Sequence, residues 1–431
     1  MIAKMDGKIK KLSKSGFFHI FGSGTINKIL TFANSLLIVR FVSKIDFGAY
    51  SYAQTIFSIA CILNGIGIES ALVQLCCEKR NESQREGIFY WGSLIAAISS
   101  LVVSLSILFV GLFVEQKMEG VDRYLLAMAI LPILDLLKSL QLSKCRIYLE
   151  NKKYSYISTI DSFLLVAFSI TGAYFFDVYG VIIARYLSSV ITIIVAFVLF
   201  RIKVFKKPEY SIVDNTKREI IKIGFIMAIN NGMGSVLALA GTFILGLIIP
   251  DESLIASYKI ASTIPSALLF IPQYLMIYFV PLFAKHQDDY KWTIKTYKSI
   301  MFYFIIFNVF LSVALIGLSS FFIPFVFGEE YEDAVEPFKV LMIAYFVQSS
   351  FRITSAQLLV TQRKLIINLV ISFVAASLNI LFNCLFIPNY ASIGAAFSYL
   401  IAFCFAAVVL TSYWIIILYK KSKTIKEEVL V

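Results

Sequence analysis

Ten residues set inside long apolar runs carry the chemistry this sequence offers. Lys28, Lys138, Arg185, Lys259 and Arg352 are cations, Glu69, Asp135 and Asp161 are carboxylates, and Asn230 and Asn231 are adjacent amides. A charge in hydrocarbon costs at least about 2.5 kcal/mol, so it persists there only for a contact or a task. Lysine as a point charge and arginine as a bidentate fork are phosphate-binding side chains. Several cations with fewer anions therefore favour a cargo that is itself anionic. The carboxylates are the groups able to carry a proton or a sodium ion. The asparagines can hydrogen-bond sugar hydroxyls or, equally, a neighbouring helix.

Each of these residues also has an ordinary structural reading. Long basic side chains near a helix end snorkel to the headgroups, and Arg40, Lys339, Arg185 and Lys259 all lie near enough to an interface to do so. Asp135 and Lys138, three apart on one helical face, can neutralise each other. Lys28 and Arg352 lie too deep in their runs to snorkel comfortably and are expected to line a water-filled cavity.

The elements that position these groups follow from composition. Hydrophobic residues make up 59% of the chain and charged residues 15%, against about 25% charged in soluble domains. That is a polytopic membrane protein, with no length left for a sizeable soluble domain. The net charge of +12 is a topology signal rather than a nucleic-acid footprint, because most Lys and Arg fall in segments expected to face the cytoplasm. Anionic membrane lipids are the natural partners of that charge. Six cysteines show neither metal spacing nor a disulfide framework. The two histidines, His19 and His286, and the lack of a Gly-rich phosphate loop give no catalytic, metal or cofactor signal. The expectation is a carrier, not an enzyme, with no cofactor.

One long polar interruption, residues 201–219, divides about six apolar runs from about six more, each long enough to span ~30 Å of hydrocarbon. The expected plan is an N-terminal six-helix lobe over 1–200, a basic cytoplasmic linker over 201–219 and a C-terminal six-helix lobe over 220–431. Both ends are basic (Lys4, Lys8, Lys10, Lys11 and Lys14; Lys420, Lys421 and Lys423), so both termini are expected inside. The second run reads as one helix from Ala49 to Leu75, the fourth is interrupted at Pro132, and the fifth and sixth turn tightly at Asp177. The eighth contains Pro265, Pro272 and Pro281, which predict kinks. The halves look related: Tyr50–Ser58 matches Tyr258–Ser266 at five of nine positions, 208 residues apart. Ser162-Phe163 answers Ser372-Phe373, and Gly180 and Tyr186-Leu187 answer Gly394 and Tyr399-Leu400, at similar offsets. Six spans repeated in the same orientation make a parallel repeat about an axis along the membrane normal.

The exit from the first span, Val42-Ser43-Lys44-Ile45-Asp46-Phe47-Gly48-Ala49-Tyr50, resembles the loop that opens Wzx-type polysaccharide repeat-unit flippases. The Gly328…Tyr331…Ala334 loop and Gly180-Val181 resemble the same family, and the resemblance covers essentially the whole chain. It implies membership of the multidrug/oligosaccharidyl-lipid/polysaccharide exporter superfamily, with two six-helix lobes around a central cavity. It also implies an undecaprenyl-diphosphate-linked oligosaccharide as cargo, flipped across a bacterial inner membrane by alternating access for O-antigen (lipopolysaccharide) or capsule synthesis. On that reading Lys28, Lys138, Arg185, Lys259 and Arg352 face the diphosphate, and Asn230 and Asn231 the sugar. Glu69, Asp135 and Asp161 are the ion-coupling candidates. A polysaccharide polymerase complex is the expected protein partner. A multidrug/toxin extruder on the same fold is the alternative, disfavoured because organic cations would want the opposite sign in the cavity. A non-transporting scaffold subunit is a third reading, disfavoured by the short loops.

Overall fold

The computed structural model describes residues 17–429 apart from 79–80, 206–207, 209–213, 287–288 and 363. The lysine-rich N-terminus, Lys79, Arg80, Lys206 and Lys207 lie outside the described residues. Among the described residues there is no strand. The chain divides into two compact units, residues 1–235 and 236–431.

The first unit holds α1 (Phe17–Phe41), α2 (Lys44–Ala60), α3 (Ile68–Cys77), α4 (Glu82–Phe113), α5 (Val121–Met128), α6 (Leu131–Ile147), α7 (Asn151–Val198) and the start of α8 (Asp214–Ile248). Ser43 caps α2 by accepting from the Asp46 amide, and Asn81 and Gln84 form a capping box on α4. The second span is not the single helix that its apolar pattern predicts. A seven-residue break, Cys61–Gly67, separates α2 from α3, with positive φ at Gly65 (67°), Ile66 (46°) and Gly67 (63°). Apolar periodicity runs through Asn64-Gly65-Ile66-Gly67 and hides it, although Asn-Gly is itself a turn signal. Asn64 donates to the Pro132 carbonyl (3.1 Å) and Ser99 to that of Leu63 (2.7 Å), so protein groups satisfy the opened backbone. The fourth span bends by 41° just ahead of Pro132, which sits in the first turn of α6.

The second unit continues with α9 (Glu252–Leu268), α10 (Phe270–Lys285), α11 (Tyr290–Phe327), α12 (Val335–Val347), α13 (Ile353–Thr361) and α14 (Leu365–Val429). The eighth span breaks at Leu269, one turn beyond Pro265, with Pro272 tolerated in the first turn of α10. Pro281 leaves α10 unbroken. The acidic loop forms a 3₁₀ turn, Glu329–Ala334, and a π turn, Gln348–Arg352, joins α12 to α13.

Helices α7 and α14 are too long to be single spans: 48 residues would reach about 72 Å at ~1.5 Å per residue. Each folds back as a hairpin, at Asp177 (φ 49°, ψ −134°) in α7 and at Ala391 (φ 46°, ψ −126°) in α14. Among the described residues seven helices are long and apolar enough to cross a membrane, or eight with the bent α5–α6 pair. Counting both arms of each hairpin, α1, and the run through α12 and α13, the passes come to about twelve. Phe113, Phe310 and Phe321 are each more than 70% exposed, a cost in water that lipid removes. The described residues of the polar stretch 201–219 pack in part on the first unit. Ile202 and Val204 are buried and Lys144 donates to the Lys203 carbonyl at 2.6 Å, while Lys217 and Arg218 already belong to α8.

Candidate functional site

Within the first unit, α6 and the two arms of α7 bring four of the predicted charges into one network. Lys138 Nζ lies 3.0 Å from Asp161 Oδ2 and 3.5 Å from Asp135 Oδ1, and donates to Ser189 Oγ at 3.2 Å. Thr192 donates to Asp161 at 3.3 Å. Arg185 Nη2 stands 3.7 Å from Asp135 Oδ2, its guanidinium lies 5.0 Å from the Phe57 ring, and it donates to Gln54 on α2. Two cations and two carboxylates thus balance, and the sequence pattern missed the Gln54, Ser189 and Thr192 partners because they come from other helices. Lys138 is only 17% exposed and Asp161 22%, so removing one partner alone strands a charge. Lys138→Met is expected to lower stability by about 3 kcal/mol, and adding Asp161→Asn to recover at least half of that. Thermal unfolding of the detergent-solubilised protein reads both variants. Equal losses in the single and double variants would mean that Lys138 does not act through the pair.

Beside this network, still in the first unit, the α2–α3 break opens a cleft of about 330 Å³. Glu69, Asp135, Ser139 and Asn231 line it, with Asn64 at the break itself. Ser139 donates to Glu69, whose carboxylate is held by this hydroxyl. The cleft therefore joins two of the ion-coupling candidates to one of the asparagines. Asn230 is exposed but does not line it, and Lys28, on α1, presents an exposed side chain.

The second unit has a different sign. No Asp or Glu occurs between residues 253 and 287, 290 and 328, or 337 and 426. Those stretches contain the apolar spans of the unit, yet Lys259 and Arg352 lie within them. Lys259 lines a separate pocket of about 140 Å³ with Tyr258, Tyr345, Gln348 and Tyr399. Arg352 closes the π turn, stacks 4.9 Å from the Phe403 ring centroid, and leaves Nε without a hydrogen-bond partner among the described residues. Neither cation forms an ion pair with a described carboxylate. Lys339, by contrast, is matched by Glu336 at 2.7 Å.

Broken second and eighth spans and the two folded-back helices α7 and α14, among the described residues, give a fold shared with solved transporters of the MOP superfamily. The lipid II flippase MurJ, solved in an inward closed conformation, aligns with a TM-score of 0.73 at 13% identity, over 91% of this chain and 86% of that one. An inward-facing multidrug resistance MATE transporter of the MOP superfamily aligns at 0.71 and 12% identity, over 92% and 96%. A MOP superfamily transporter from Pyrococcus furiosus, described as having a binding pocket of reversed polarity, aligns at 0.64 and 11% identity, over 95% and 96%. No curated protein matches the chain. The model of the family described as polysaccharide biosynthesis protein matches residues 37–336, and the chain belongs to that family.

Proposed function

We propose that this protein flips an undecaprenyl-diphosphate-linked oligosaccharide repeat unit from the cytoplasmic to the outer leaflet of a bacterial inner membrane. It does so by alternating access, with both termini cytoplasmic, for O-antigen or capsule-type polysaccharide synthesis. The observation that carries this reading is the charge of the second unit, where Lys259 and Arg352 lie in apolar stretches, 253–287 and 337–426, that hold no carboxylate. Uncompensated cations in hydrocarbon favour an anionic cargo, and a lipid-linked sugar diphosphate is anionic, with Arg352 the fork suited to its phosphates. Lys28 adds to that set. Lys138 and Arg185, already matched by carboxylates, serve first to hold the helices of the first unit and contact the cargo only if those pairs exchange.

Ion coupling belongs with the first unit in this proposal. Glu69, bonded to a serine hydroxyl and facing the cleft, is the H⁺ or Na⁺ carrier best freed to change its charge. Asp135 and Asp161 would have to leave their cations to do so. Asn231 lines the same cleft, and with Asn230 it is proposed to meet sugar hydroxyls. A polysaccharide polymerase complex is the proposed protein partner. Deleting the gene is expected to trap lipid-linked repeat units on the inner leaflet and to abolish surface polymer, with both restored by the wild-type gene. Intact polymer together with altered dye or antibiotic sensitivity would refute this reading and select the extruder, whose fold this chain shares.

A further inference from the structure

The pocket around Lys259 has the wrong size and charge for a sugar diphosphate. Its volume is about 140 Å³, close to the ~150 Å³ cavity that admits one benzene ring and below the ~300–1,000 Å³ of sites that hold a drug-sized ligand. It contains one cation and no anion, so it matches a single negative charge. The rest of its wall is hydrogen-bonding and aromatic. The Tyr399 hydroxyl donates to Gln348 Oε1 at 3.3 Å, leaving the Gln348 Nε2 protons for a ligand. Tyr345 is fixed by its bond to Asn308 (3.0 Å), which in turn donates to Ser350 (3.1 Å). Thr242 adds a buried hydroxyl from α8. The π turn brings Gln348 to this wall, and such turns often mark functional sites because they cost regular helix bonding. Spans 7, 8, 10 and 12 of one unit thus build a rigid, preformed box for one ring-sized group with one charge.

We propose that this pocket recognises one carboxylate-bearing sugar of the cargo, with Lys259 Nζ paired to the carboxylate. The tyrosine and Gln348 groups meet the ring and its hydroxyls. The proposal rests on the reading of the cargo as a lipid-linked oligosaccharide and adds its class: a repeat unit containing a uronic or similar sugar acid. The diphosphate is left to Arg352, which does not line this pocket. Lysine suits the task because a compact ammonium pairs with a carboxylate without demanding the planar fork geometry of arginine.

The test is binding to the purified full-length chain in a neutral detergent, by calorimetry, with glucuronate, glucose and inorganic phosphate as probes. Glucuronate is expected to bind at least tenfold more tightly than glucose or phosphate. Lys259→Met is expected to bring glucuronate down to the level of glucose without weakening glucose, and Lys259→Arg to keep part of the preference. Should Lys259→Met fail to fold, reductive methylation of the wild type reads the same contact. Glucuronate, and not glucose, then slows labelling of Lys259 as followed by mass spectrometry. Equal binding of glucuronate and glucose would overturn the proposal, as would a preference that survives Lys259→Met. Phosphate binding as tightly as glucuronate would overturn it too, and would make the pocket a phosphate site. Because binding is read on isolated protein, these outcomes are independent of the gene deletion. A normal surface polymer in the deletion strain would sink the flippase reading whatever the pocket binds.

Discussion

Gly180→Ala is expected to remove folded protein from the membrane, whereas Gly317→Ala is expected to be harmless. In α7 the two arms of the hairpin touch through backbone alone at this point. A Cβ added to Gly180 would lie 1.8 Å from the Gly172 carbonyl oxygen and 2.2 Å from its carbon. No rotamer relieves such a clash, because the obstacle is main chain, so the two arms must separate along their length. Overpacking by a methylene ordinarily costs roughly 1–3 kcal/mol, and forcing helices apart belongs at or above the top of that range. Gly394 makes the equivalent approach in α14, where a Cβ would lie 2.5 Å from the Phe386 carbonyl oxygen, so Gly394→Ala should be damaging but milder. Gly317 has no atom within 4 Å of a new Cβ, and alanine there adds helix propensity of up to about 1 kcal/mol. Membrane abundance and thermal unfolding of the three variants decide the matter. Gly180→Ala protein as abundant and as stable as Gly317→Ala protein would refute the close approach.

These glycines also show which parts of the fold the sequence makes legible. The weak internal matches at offsets of 208 to 214 mark a repeat that the backbone repeats in detail. Helices α2 and α9 are both 17 residues long, and they begin at 44 and 252. Helices α4 and α11 begin at 82 and 290. The hairpin residues recur 214 positions on, Gly172 to Phe386, Asp177 to Ala391 and Gly180 to Gly394. Hydropathy finds the spans because lipid demands satisfied backbone and apolar surface. It does not find the break at 61–67, because Ile62, Leu63 and Ile66 keep that segment apolar while Asn64 and the glycines reshape its backbone. Nor does it pair the charges. Asp135 and Lys138 are visible as an i, i+3 couple, but Asp161 and Arg185 join them only through the tertiary packing of α6 on α7. The pocket around Lys259 is invisible in sequence for the same reason. Its tyrosines look like interfacial aromatics there and become a wall only when four spans of one unit meet.

Arg352→Ala is expected to reduce transport by one to two orders of magnitude at matched protein levels. The guanidinium stands over Phe403 with an unsatisfied Nε, and no described acid offsets it. In the absence of cargo such a cation is a net cost, since its desolvation is repaid only in part by the ring. Its gain comes when an anion arrives. One charge-assisted contact to a diphosphate contributes about 1.5–3 kcal/mol, which is roughly tenfold to hundredfold in affinity. Arg352→Lys should keep part of the activity, because the charge survives while the bidentate fork does not. Lys28→Ala should lose activity on the same scale, and Lys28→Arg should retain some. A purely structural Arg352 predicts a different pattern. Arg352→Ala would then transport normally, and its protein would be at least as stable once the unpaired charge is gone. Surface polymer output, normalised to membrane protein for Arg352→Ala, Arg352→Lys, Lys28→Ala and Lys28→Arg, separates the two. Full output from Arg352→Ala would take that residue out of the cargo site, and full output from Lys28→Ala would do the same for Lys28. A loss of polymer that merely tracks a loss of protein would make the residue a folding determinant instead.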